Sequence, residues 1–366
     1  MSKPNTQATD NPPDQLAIYQ PDEQSIYQCA QQLKEGQLVI FPTETVYGLG
    51  ANANDPAAIE KIYRYKQRPK NNPLILHVRN WETASLATRL SDLETQLVEI
   101  LTQGFWPGPL TLLLRKSQYV SDSVTAGSDW VGLRCPQHPV AQKLLEVSNL
   151  AIVAPSANLS GQISSTQESH LLQYFSDAKL SILAERTPSP LGVESTIIKI
   201  DGSQLTLVRP GTITIAELEN HLRQHDLDQF QIQPMPSYQQ MDHPGSSLQH
   251  YAPKLPTFLF RFPDPSALNL DAQLSDSACL DFRGHHYQLR HLFNCYLDLS
   301  PAGDLREALS VLYRALHRLN NSPGVSQILI YNDYQDKPGL SETMYDRVYR
   351  AANGKCLTSP AQLKIH

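Results

Sequence analysis

Between Lys61 and Arg79 the chain carries six basic residues, Lys61, Arg64, Lys66, Arg68, Lys70 and Arg79, and no acid. The whole chain has a net charge of −6. On an acidic protein, such an island reads either as a local anion site or as a solvated helix face. Within it, Lys66-Gln67-Arg68-Pro69-Lys70-Asn71-Asn72-Pro73 sets cations around a loop stiffened by two prolines. A stiff loop loses less entropy when it grips an anion. Arginine offers phosphate a planar fork, and lysine a point charge. His77 follows the apolar stretch 74–76, where a histidine serves either as a hydrogen-bonded core residue or as a ligand contact.

Three other polar clusters could do chemistry. Pro42-Thr43-Glu44-Thr45-Val46-Tyr47-Gly48-Leu49 offers two threonine hydroxyls to a small polar ligand, or forms an ordinary turn. Ala154-Pro155-Ser156-Ala157-Asn158-Leu159-Ser160-Gly161 is dense in hydroxyl and amide groups and uncharged, which suits a sugar, a phosphate or an amino-acid backbone, or a capped turn. Gly192-Val193-Glu194-Ser195-Thr196 and Arg209-Pro210-Gly211 form the last cluster, joined by Arg134 at the end of 131–134. An arginine at the edge of a buried strand needs an anionic partner, from the protein or from a ligand. The chain has no Walker A loop, GxGxxG, HExxH, EF-hand or GxSxG spacing. A nucleotide held here would therefore not sit on a common phosphate loop.

The elements that must position these clusters alternate. Asp55-Pro56 starts a helix, because aspartate caps and proline fits the first turn. That helix runs through Ile59, Ile62 and Tyr63 and stops before Pro69. Strands are expected at 37–41, 74–78, 110–115, 131–134, 151–154, 196–200 and 205–209, with a closing helix at 216–223. This is an α/β pattern. Residues 1–21 read as a disordered leader, 22–225 as the catalytic domain and 226–256 as a Pro- and Gln-rich linker. A smaller C-terminal α/β domain follows at 257–366. It has strands at 257–262, 279–282 and 326–331, an amphipathic helix through Leu305, Leu309, Leu312, Leu316 and Leu319, and a helix at 341–352.

Composition narrows the class. The chain has 366 residues, of which 40% are hydrophobic and 18% charged, as in ordinary globular proteins. Five scattered cysteines without a CxxC pair argue against a zinc ribbon or a disulfide scaffold and suit a reducing cytoplasm. No apolar run reaches the roughly 20 residues of a membrane span. Net acidity argues against stable nucleic-acid binding.

In order, the chain carries FPTETVYGLG (41–50), KQRPKNNPLILHV (66–78), VGLRCPQHP (131–139), APSANLSG (154–161), GVEST (192–196), VRPGT (208–212) and HYAP (250–253). Together these closely resemble the YrdC-like threonylcarbamoyl-AMP synthases, in the long form with an extra C-terminal domain. The resemblance implies an open, twisted mixed sheet with flanking helices, followed by a Rossmann-like domain. It implies an enzyme joining L-threonine, bicarbonate (or CO2) and ATP into threonylcarbamoyl-AMP and pyrophosphate. The product would pass to a tRNA threonylcarbamoyl transferase complex.

By the same resemblance, Lys66 and Arg68 would neutralise the triphosphate, with Mg²⁺ shared by its oxygens and no metal site of the protein's own. Asn72, Ser156, Asn158, Ser164 and Arg209 would contact the nucleotide, and Tyr251 would cover it. Thr45, His77, Arg134, Ser195 and the backbone of Ala154 would surround threonine. The chemistry needs no protein nucleophile. Positioning and charge stabilisation suffice. An RNA-binding or ribosome-assembly factor using the basic island as a cleft is the alternative.

Overall fold

The computed structural model describes residues 16–176, 178–234, 250–261, 274–334 and 337–357. Its strands, in chain order, are β1 (Ala17–Tyr19), β2 (Val39–Phe41), β3 (Gly48–Asn52), β4 (Ile75–His77), β5 (Leu110–Arg115), β6 (Trp130–Arg134), β7 (Ile152–Val153), β8 (Ser181–Leu183), β9 (Thr196–Asp201), β10 (Gln204–Arg209) and β11 (Ile232–Gln233). They form one 11-stranded mixed sheet, ordered β1-β8-β2-β3-β7-β4-β6-β5-β9-β10-β11. Antiparallel β3 and β7 sit beside parallel pairs such as β4 with β6 and β5 with β9.

Local chemistry explains the flanking helices. Asp55 caps the helix Pro56–Lys66 through the amides of Ala57 and Ala58, with Pro56 in the first turn. Ser91 and Glu94 form a reciprocal capping box on Asp92–Phe105. Ile59 and Ile62 on one helix and Leu97 and Leu101 on the other are buried in one face's core with Leu76, Leu112 and Leu133. The opposite face buries Ile26, Leu33, Phe41 and Leu144.

Two expected boundaries need correction. The leader expected to be disordered to residue 21 includes β1, which pairs in parallel with β8; residues 1–15 lie outside the described residues. The linker expected from 226 begins with β11, which extends the first sheet beside β10. The alternation of Phe230 and Ile232, both buried, supplies the apolar face that a Pro- and Gln-rich composition obscured. Residues 235–249 of that linker lie outside the described residues.

The second unit is a five-stranded sheet of β12 (Thr257–Phe260), β13 (Ser277–Asp281), β14 (Cys295–Asp298), β15 (Gln327–Tyr331) and β16 (Cys356–Leu357), ordered β14-β13-β15-β12-β16. Every pairing is parallel. Helices Leu305–Asn320 and Leu340–Ala351 flank it. Leu309, Leu312, Leu316 and Leu319 are fully buried, as their spacing requires. This core runs into the first unit: Val46, Ile163, Val193 and Tyr251 pack in the same apolar cluster.

Candidate active site

The motifs converge where β4, β6 and β10 end and β9 begins. Parallel pairing of β4 and β6 sets His77 directly beside Arg134. Antiparallel pairing of β5 and β6 brings Thr111 opposite Arg134, and Thr111 Oγ1 lies 2.7 Å from Ser195 Oγ. The result is a pocket lined by Thr43, Arg68, His77, Arg134, Ser156, Glu194, Ser195, Arg209 and His250, with Ala154 at its wall. The cavity they enclose is about 60 Å³.

Its electrostatics are decided by which cations have carboxylate partners. Arg134 has one: its Nη2 donates to Glu44 Oε1 at 2.7 Å, and both side chains are buried. The arginine expected beside threonine therefore takes its anionic partner from the protein. Lys66 is 1% exposed. Its ammonium donates to the Ser156 carbonyl at 2.5 Å and the Asn158 carbonyl at 2.6 Å. Arg68 donates to the Asn72 carbonyl, to Asn72 Oδ1 and to the Pro73 carbonyl. Arg209 donates to the Ser195 carbonyl and to Ser195 Oγ, each at 3.0 Å.

Among the described residues, none of Lys66, Arg68 and Arg209 forms an ion pair with a carboxylate. Burial, then Arg68, pushes the Lys66 ammonium well below its usual pKa. Burial brings Arg68 down to about 10. Three convergent cations without a direct carboxylate partner are costly unless an anion completes them. The basic island is thus divided. Lys66 and Arg68 turn inward, whereas Lys70 pairs with Glu60 at the surface and Lys61 donates to the Gly36 carbonyl.

His77 is buried, edge-on to Phe41, with Nδ1 unpartnered. Burial and Arg134 lower its pKa to about 3, so it is neutral at physiological pH. The remaining expected residues lie behind the lining. Thr45 is buried, 2.8 Å from Thr43 Oγ1. The Asn158 amide donates to the Leu159 and Gln162 carbonyls and shapes its own loop. Ser164 donates to Glu194 at 2.6 Å. Tyr251 is fully buried, stacked on Tyr313 at 5.3 Å, with its hydroxyl unpartnered.

Of the lining residues that were not expected, Thr43, His250 and Glu194 carry groups that bear on the chemistry. Thr43 stands two places from Thr45 and faces the pocket in its stead. His250 lies in HYAP, where attention falls on the larger Tyr251. Its Nδ1 has no partner. Burial, then the fields of Arg68, Arg350, Arg209 and Lys66, hold it neutral. Glu194 sits in GVEST, but an acid among phosphate-seeking cations looks misplaced until its own partners are known. Desolvation raises its pKa, and Arg347 and Arg209 outweigh that.

Residues 31–211 match the Sua5/yciO/yrdC family model, described as "Telomere recombination", and residues 213–353 match the "Threonylcarbamoyl-AMP synthase, C-terminal domain" model. The threonylcarbamoyl-AMP synthase of Bacillus subtilis is 38% identical over 247 residues, 66% of this chain and 68% of that protein. The chain belongs to the threonylcarbamoyl-AMP synthase family. It has the family's long form, with both domains present. The threonylcarbamoyl-AMP synthase of Pyrococcus abyssi is 40% identical over 224 residues, 60% of this chain and 63% of that one. The crystal structure of P. abyssi Sua5 complexed with L-threonine superposes with a TM-score of 0.79 at 30% identity, covering 93% of this chain and 98% of that one. Family membership thus extends to the fold of both units, the mixed sheet and the parallel one.

Proposed function

We propose that this chain is an L-threonylcarbamoyladenylate synthase. It would form threonylcarbamoyl-AMP and pyrophosphate from L-threonine, bicarbonate (or CO2) and ATP. The observation that carries the reading is the trio Lys66, Arg68 and Arg209, which has no carboxylate partner among the described residues: Arg68 and Arg209 line a pocket rich in hydroxyl donors, and Lys66 lies behind it. Threonine's amine nitrogen takes up CO2 and loses a proton, giving a carbamate. A carbamate oxygen then attacks the α-phosphorus of ATP, and the bond to the pyrophosphate oxygen breaks. The protein need only hold two anions together and stabilise charge on the phosphorus.

Arg68 and Arg209 face the triphosphate in this reading. Lys66 adds charge from behind and holds the loop 156–158 through its carbonyls. Thr43, His77, Arg134 and Ser195 form the threonine side. With Arg134 already paired to Glu44, threonine binds the pair rather than a bare guanidinium. Among the described residues, no group of three or more His, Cys, Asp and Glu is placed to hold a metal. Mg²⁺ would come on the oxygens of ATP, where it would offset phosphate charge. The cavity of about 60 Å³ is far smaller than the roughly 300 Å³ at which ligand sites begin. The segment His250–Pro253 would have to lift for ATP to enter, acting as a lid.

No helix among the described residues is long and apolar enough to cross a membrane. A cytoplasmic site, with delivery of the mixed anhydride to a tRNA-modifying transferase, completes the reading. The test is pyrophosphate release, with the nucleotide product followed by mass. Release that requires both threonine and bicarbonate, with a threonylcarbamoyl adenylate present, is the expected result. Release with threonine alone and an aminoacyl adenylate would overturn the carbamate mechanism.

A further inference from the structure

Among the described residues, two side chains of the second unit bond to Glu194 in the pocket wall. Tyr313, on helix Leu305–Asn320, donates to Glu194 Oε2 at 2.8 Å. Arg347, on helix Leu340–Ala351, donates through Nε to the same oxygen at 3.1 Å and through Nη2 to the Pro210 carbonyl at 2.9 Å. Arg347 is 0% exposed. Its Nη1 also donates to Asp346. Its guanidinium carbon lies 5.1 Å from the centre of the Tyr251 ring, within cation–π range. One residue from outside the pocket therefore touches Glu194, the one carboxylate among the described lining residues, the loop after Arg209, and the tyrosine of HYAP.

Glu194 has a choice of partners. Arg209 and Lys66 both feel its charge, yet neither forms an ion pair with it among the described residues. The carboxylate instead receives Ser164, Tyr313 and Arg347. A buried carboxylate that loses its cation seeks another or protonates. Here the neighbouring cations are those that the triphosphate requires.

We propose that Arg347 is a positioning residue for the nucleotide pocket: it keeps Glu194 away from Arg209 and Lys66, and it seats the Tyr251 ring. This rests on reading the pocket as the ATP site. It also assigns the second domain a task, which is to supply the counter-charge that leaves the pocket's cations unpaired.

The test is steady-state pyrophosphate release by the full-length chain. Arg347→Met should raise KM for ATP at least tenfold and change kcat less, because Glu194 then competes with phosphate for Arg209. Arg347→Lys, which keeps the charge, should recover part of the loss. Adding Glu194→Gln to Arg347→Met should bring KM back to within about threefold of wild type, a rescue that lost packing alone would not give. An unchanged KM for ATP in folded R347M, or a loss that E194Q does not relieve, would overturn the proposal. Should R347M fail to fold, the comparison moves to the E194Q background. There, adding R347M should alter KM less than twofold, and a tenfold rise would overturn it. A wild-type chain that releases no pyrophosphate with all three substrates would instead sink the underlying reading of the pocket.

Discussion

Lys66 and Arg68 stand two places apart in one motif, yet they do different work. Arg68 lines the pocket, whereas Lys66 is buried beneath the serine–asparagine loop and satisfies two of its carbonyls. Arg68→Ala should therefore reduce pyrophosphate release by about 100-fold, the scale of losing one charge-stabilising donor, with a smaller drop in melting temperature than Lys66→Ala, because the acceptors it leaves are only half-buried. Lys66→Ala should lose activity and stability together, because orphaned buried carbonyls cost about 1–3 kcal/mol each. Activity assays paired with thermal melts separate the two. The sequence marked both residues as anion-seeking. It could not separate them, because the helix Pro56–Lys66 ends between them: Gln67 takes a left-handed conformation and turns Arg68 onto a different path.

At the scale of elements, helix Glu168–Phe175 meets helix Leu305–Asn320 through His170 and His317, whose rings stack at 3.7 Å. His317 Nε2 faces the Ser164 carbonyl at 3.2 Å and so carries the proton. Burial, then the partner ring and Arg314, lower His170 to about 3, and burial lowers His317 to about 4. Both values lie below the ordinary 6.5 of an unfolded chain. As pH falls, the unfolded chain binds protons first, so stability is full above pH 6.5 and declines towards pH 4. The melting temperature should drop between pH 7 and pH 5, and a His170→Asn/His317→Asn double variant should flatten that slope. An unchanged slope would show that these rings are not the groups titrating. Helix spacing made the long leucine helix legible in the sequence, since its apolar stripe repeats at 3.6 residues. The histidine stack was not legible, because it joins residues 147 positions apart.

For the whole molecule, the contact that matters is where the GVEST loop docks on the second domain. Gly192 has φ +71°, and a Cβ there would lie 2.4 Å from the Ser310 carbonyl oxygen. Thr343 adds a hydrogen bond to the Gly211 carbonyl at 2.8 Å. Gly192→Leu should force the two units apart at this point. The expected outcome is loss of cooperativity in unfolding, read as a broadened or split calorimetric transition, with pyrophosphate release falling by about 100-fold or more. A single sharp transition with normal turnover would show that the domains need not touch there. This docking also explains why one apolar cluster spans both units.

The chain's own residue pattern determined the α/β class, the two units, most strand and helix positions, and the motifs that gather at the pocket. Those features rest on local physics: caps, prolines, alternation and helical periodicity act over a few residues. It also determined that the site carries an excess of positive charge. Tertiary structure alone decided how that charge is used. Pairing across the sheet gave Arg134 to Glu44, 90 residues away, and docking of the second domain gave Glu194 to Arg347, 153 residues away. Among the described residues, Lys66, Arg68 and Arg209 have no carboxylate partner. Charge pairing depends on distance in space and on burial, and neither is a property of sequence separation.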